Sequence, residues 1–96
     1  MTTIAEYFET IAQRIEEARA DVGLTELFAQ TRVLCENAAA VTPAAETQRL
    51  LSQGQQALKT WQEVWPRLGL QREFRLAVVR EARLWAKRLA EAPSAS

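Results

Sequence analysis

The sequence predicts an all-α fold, an antiparallel up-and-down four-helix bundle, and three features lead there. Apolar side chains recur every three to four residues through four separate stretches, the spacing that gathers them on one side of a helix. Ala, Leu, Glu, Gln and Arg dominate while glycine and proline number three each, so residues that hold a helix at small entropic cost prevail. Most of the helix breakers (Gly23, Pro43, Pro66 and Gly69) fall between the stretches, leaving short connections of the kind that join antiparallel neighbours. A chain of 96 residues, 48% hydrophobic and 25% charged, has a globular composition and room for one core. Residues 1–92 therefore read as a single helical domain and 93–96 as a frayed tail. A dimer of extended helical hairpins would bury the same stripes and is the alternative architecture.

Thr3 followed by Glu6 forms a capping box, in which each side chain satisfies a free backbone N–H at a helix start. Ile4, Phe8, Ile11, Ile15 and Ala18 then form one stripe along a helix of about five turns, which Asp21-Val22-Gly23 ends because glycine tolerates the left-handed conformation. The second helix is expected over residues 24–40, burying Leu24, Leu27, Phe28, Thr31, Leu34, Cys35 and Ala38, with Ala38-Ala39-Ala40 letting a neighbouring backbone come close. Thr42-Pro43 reads as a restart, Thr as N-cap and Pro at the first helical position. The third stripe is Leu50, Leu51, Gly54, Ala57, Leu58, Trp61, Val64 and Trp65. Gly54 costs about 1 kcal/mol relative to Ala inside a helix, which a close helix crossing there would explain. Pro66 disfavours helical geometry at Trp65 and Gly69 suits a C-terminal cap, so a turn is expected across residues 65–69. The fourth helix, over residues 70–92, should bury Phe74, Ala77, Val78, Ala82, Trp85 and Leu89.

No stretch approaches the roughly 20 apolar residues of a membrane span, and the first ten residues lack the basic start and apolar run of a secretion signal. A cytoplasmic location is the expectation. The chain has one cysteine and no histidine, so neither an internal disulfide nor a conventional transition-metal site is expected. Without histidine the usual general base near neutral pH is gone, and no glycine-rich phosphate loop or carboxylate pair stands out. The chain reads as a non-enzymatic protein without cofactor. Cys35, on the apolar side of its helix, reads as a small buried hydrophobe rather than a nucleophile.

Zero net charge conceals an asymmetry, since residues 1–46 carry three basic and eight acidic side chains and residues 47–96 carry nine and four. Such a charge separation could join the halves of one bundle, pair two subunits, or give the C-terminal half a binding face. The basic set Arg67, Arg72, Arg75, Arg80, Arg83, Lys87 and Arg88 is the main functional signal. Within it Arg72, Arg80, Arg83 and Lys87 share about a quarter of the helix circumference. Leu76 lies in the same arc and Leu84 also falls off the core stripe, and a mixed apolar and basic patch is what a docking face presents. Arg72, Leu76, Arg80, Arg83 and Lys87 are therefore the candidate partner-binding residues, for a protein or a second copy of the chain. Nucleic-acid binding by the basic half is the alternative, weakened by interspersed Glu73, Glu81 and Glu91 and by a pI of about 6.3. The same residues would equally make a solvated or internally paired helix face.

Three tryptophans could line a ligand pocket, but their helical spacing assigns them to the core, with Trp65 the most exposed beside its turn. The segment WPRLG resembles the opening of a tetratricopeptide repeat, where Trp, then Leu-Gly, then an aromatic mark the first helix. Arg72 stands where that aromatic belongs, Pro66 interrupts, and no second copy follows at a period of about 34 residues. No repeat architecture follows from it.

Overall fold

The computed structural model describes residues 3–17 and 23–92, which fold into four helices: α1 (Ile4–Glu17), α2 (Leu24–Val41), α3 (Ala45–Leu68) and α4 (Arg72–Glu91). Thr3 opens α1 as its sequence implies, its Oγ1 accepting the Glu6 N–H at 3.1 Å. Ala18 and the Asp21-Val22 part of the expected helix end lie outside the described residues. Gly23 does take the left-handed conformation, φ 81°, and sits at the N-cap of α2.

Each helix packs on its chain neighbours, and α4 closes the ring on α1. The pairs α1 with α4 and α2 with α3 make the most extensive contacts, while α1 faces α3, and α2 faces α4, across the diagonals. Contacts between α1 and α4 run in opposite senses, Ile15 meeting Arg75 and Glu9 meeting Arg83. This is a four-helix bundle made within one chain, so the extended hairpin is not the architecture adopted. Its long axis of 39 Å is about the 36 Å that 24 helical residues span, one helix length.

The core is strung on aromatic rings. Trp85 of α4 meets Phe8 of α1, Phe8 meets Trp61 of α3, Trp61 meets Phe28 of α2, Phe28 meets Trp65 of α3, and Trp65 meets Phe74 of α4. Centroid separations of 5.4–6.3 Å are those at which aromatic pairs attract beyond their burial. All three phenylalanines and all three tryptophans of the chain take part, so the ring chain ties all four helices together. Trp65, expected to be the most exposed, is buried among Phe28 and Phe74.

Four local expectations are corrected. Thr42 does not cap α3; its Oγ1 donates back to the Ala38 carbonyl at 2.6 Å, its own carbonyl accepts from Gln48 Nε2, and the N-cap is Ala44. The hydroxyl thus closes the end of α2, where it is buried, instead of opening the next helix. Helix α3 continues through Pro66 to Leu68, because a proline in the last turn forfeits only one hydrogen bond and the buried Trp65 holds that turn in place. Gly69 is right-handed, φ −62°, rather than left-handed. The inward side of α4 takes in Val79 and Ala86 and leaves Ala77 exposed, since α1 packs on the Val79 side. Small buried Ala12, Ala82 and Ala86 let α1 and α4 approach closely.

Candidate functional site

With Val78, Val79, Ala82, Trp85, Ala86 and Leu89 committed to the core, the opposite arc of α4 is presented outward. Arg72, Leu76, Arg80, Arg83 and Lys87 are all exposed on it, but they do not form one uniform surface. Arg83 is turned onto α1. Its Nη1 donates to Glu16 Oε2 at 2.9 Å, its Nη2 to Glu16 Oε1, and its Nε to Glu9 Oε1 at 3.3 Å. Hydrogen bonding to Arg83 holds the Glu16 carboxyl below its ordinary value, and the two glutamates raise the Arg83 guanidinium in turn. Lys87 borders the same acidic strip, in a shallow depression with Thr3, Glu6 and Glu9.

The upper half of the arc is different. Leu70, Arg72 and Leu76 border a groove of about 430 Å³ floored by Ile15 and Val79 and walled by Glu16 and Arg75. Leu70 is 81% exposed and Leu76 49%, so two leucines stand open to water beside Arg72. Arg80 is exposed one turn further on and pairs with no carboxylate among the described residues. Arg75, a member of the basic set, is half-buried and structural. Its Nη1 donates to the Gly69 carbonyl at 2.7 Å and its Nη2 to the Ile15 carbonyl at 2.9 Å, with its guanidinium 5.5 Å above the Trp65 ring. A cation on a carbonyl of the last turn of α1 also answers that helix's negative end. Arg88 lies likewise over Trp85.

The five sequence-derived residues thus divide into Arg72, Leu76 and Arg80, which face solvent, and Arg83 and Lys87, which lie against the acidic side of α1. Leu70 belongs with the first group and was placed by its sequence inside a helix instead. Its one legible signal is that Gly69 and Gln71 bracket it in a connection, where a leucine has no stripe to join. The sequence also offered no partner for Arg83, although Glu9 and Glu16, seven residues apart, share one side of α1.

The Cys35 thiol is buried, and burial pushes its pKa from 9.0 up to about 12, which suppresses the nucleophilic thiolate. Among the described residues no three of Cys, Asp and Glu come close enough to hold a metal ion, and no helix is long and apolar enough to cross a membrane. Compared with protein-family models, with curated proteins and with solved structures, the chain finds no match in any of the three.

Proposed function

We propose that the protein is a non-enzymatic interaction module that docks an acidic protein segment on the upper face of α4. One observation carries this reading: Leu70 and Leu76 are open to solvent beside Arg72 and Arg80, while neighbouring arginines are used internally. Exposed leucines cost solubility unless something covers them, and arginine at the edge of an apolar patch is the composition of an interface centre. An amphipathic helix with leucines on one side and glutamates at its margins fits such a groove. Nucleic acid is the weaker reading, because Arg75 and Arg83 spend their donors on Gly69, Ile15, Glu9 and Glu16. The proposed site of action is the cytoplasm, where a lone buried thiol such as Cys35 stays reduced.

The test is a nuclear magnetic resonance titration with a synthetic acidic amphipathic helix, run beside a DNA oligonucleotide of equal charge. Peptide-induced shifts should concentrate on Leu70, Arg72, Leu76 and Arg80 and disappear in the variant combining Leu76→Glu with Arg80→Glu. Shifts spread evenly over the surface would overturn the proposal. So would oligonucleotide binding that falls steeply with salt and ignores Leu76→Ala.

A further inference from the structure

The described residues expose five large hydrophobic side chains: Val33 (48%) and Val41 (80%) on α2, and Leu70, Leu76 and Leu84 (46%) on α4 and its lead-in. None is on α1 or α3. Since α2 and α4 are diagonal partners in the bundle, the two apolar strips lie on opposite corners of the molecule. Within each strip the spacing is the same, eight residues from Val33 to Val41 and from Leu76 to Leu84, about 12 Å along a helix.

Charge distinguishes the two strips. The α2 strip borders a groove of about 470 Å³ formed by Tyr7, Ala29, Gln30, Val33 and Leu34 with Glu26 at its edge; Glu36 is exposed one turn beyond Val33, while Arg32, the one basic residue of α2, is half-buried and outside the groove. The α4 strip carries Arg72, Arg80, Lys87 and Arg88 against Glu73, Glu81 and Glu91, so its balance stays basic. A two-fold dimer through the α2 strip would set its glutamates face to face, and one through the mixed α4 strip would leave its surplus positive charge unanswered, whereas one strip laid on the other matches apolar surface and opposes the charges.

We infer that the occupant of the α4 face is a second copy of this chain, docked through the outward side of its α2 around Val33 and Val41. This rests on the docking function proposed above and names the partner. Because the two strips are different surfaces on opposite corners, the contact is head-to-tail: each copy keeps one strip free, and assembly continues into rings or chains.

Complementation by two blocked variants tests it. One combines Leu76→Glu with Arg80→Glu and keeps the α2 strip; the other combines Val33→Lys with Val41→Lys and keeps the α4 strip. All four positions are exposed, and melting curves verify that both variants fold; Glu26→Lys with Glu36→Lys is a second α2 variant that leaves the apolar residues in place. By light scattering, the wild type should grow in mass with concentration up to about 1 mM, past a dimer, and shrink again at about 0.5 M salt. Each variant alone should stay monomeric, and their mixture should form a one-to-one dimer and stop there. A wild type monomeric throughout overturns the inference, while peptide binding to the α4 face would leave the docking function standing. A dimer abolished by the α4 variant but not by either α2 variant means a two-fold contact and overturns it. So does a mixture that remains monomeric.

Discussion

Gly54 lies inside α3 and Gly69 caps its end, and the two demand opposite things. A Cβ on Gly54 would rest 3.4 Å from Phe8 Cζ and 3.8 Å from Trp85 Cε3, ordinary contact with two ring edges. Gly54→Ala should therefore fit and recover up to about 1 kcal/mol of helix propensity. A Cβ on Gly69 would fall 2.6 Å from the Trp65 carbonyl oxygen, 2.8 Å from its Cε2 and 2.9 Å from its Nε1, and neither the backbone nor the buried indole yields readily. Gly69→Ala should cost about 1–3 kcal/mol by overpacking, and urea melts of the two variants check both signs. The sequence marks both glycines as exceptional without revealing this difference, because the room at Gly54 depends on Phe8 of α1 and Trp85 of α4, and the clash at Gly69 on how the last turn of α3 folds Trp65 back against it. Cys35 was legible, since its stripe alone puts it inside. With its pKa raised to about 12, the folded protein keeps the thiol protonated where the unfolded chain ionises. Stability should accordingly decline as pH rises from 9.0 towards about 12, and less steeply in Cys35→Ala. Reaction with a disulfide reagent at neutral pH should proceed only as fast as the helices open.

Helices α1 and α4 are fastened by two arginines of different worth. Arg75 is half-buried and joins the α3–α4 connection to the last turn of α1 through two carbonyls. Arg75→Ala should cost about 2–3 kcal/mol in a thermal or urea melt, and Arg75→Lys should not restore it, since an ammonium lacks the planar fork. A loss indistinguishable from that of Arg80→Ala would refute the clamp. Arg83 holds Glu9 and Glu16 at the surface, where water screens the pairs and their contribution to stability is small. It is nevertheless pH-dependent: the depressed Glu16 pKa supplies stabilisation that is present above the ordinary value of 4.5 and is lost as pH falls through the lower folded value. Acid titration of the melting temperature should thus be flatter for Glu16→Gln than for the wild type. The existence of every helix was readable from periodicity, and so was most of each buried stripe. The starts of α1 and α2 were readable too, but the two ends of α3 were not, because Thr42 and Pro66 carry signals that a neighbouring turn can satisfy in two ways. The buried flank of α4 shifts from Ala77 towards Val79 and Ala86 because α1 covers that side, a fact of assembly that no single helix encodes.

For the molecule entire, a radius of gyration of 12.8 Å matches the roughly 12–13 Å of a folded chain this long, and one ring-lined core accounts for it. The opposite charges of the two halves meet in part within this bundle, at Arg83 with Glu9 and Glu16. Other charges stay on the surface, among them those of an arginine-edged leucine strip on α4 and a glutamate-edged valine strip on α2. Composition revealed the separation of charge, and only the ring of helices revealed that its unspent parts lie on opposite corners. The central claim is that Leu76 and Arg80 serve contact with another molecule and not the fold. Melting and sedimentation of the Leu76→Glu, Arg80→Glu variant at low salt address it together. Association should vanish while the melting temperature stays within a degree or so of the wild type, as exposed substitutions allow; a lower melting temperature with association intact would contradict the claim.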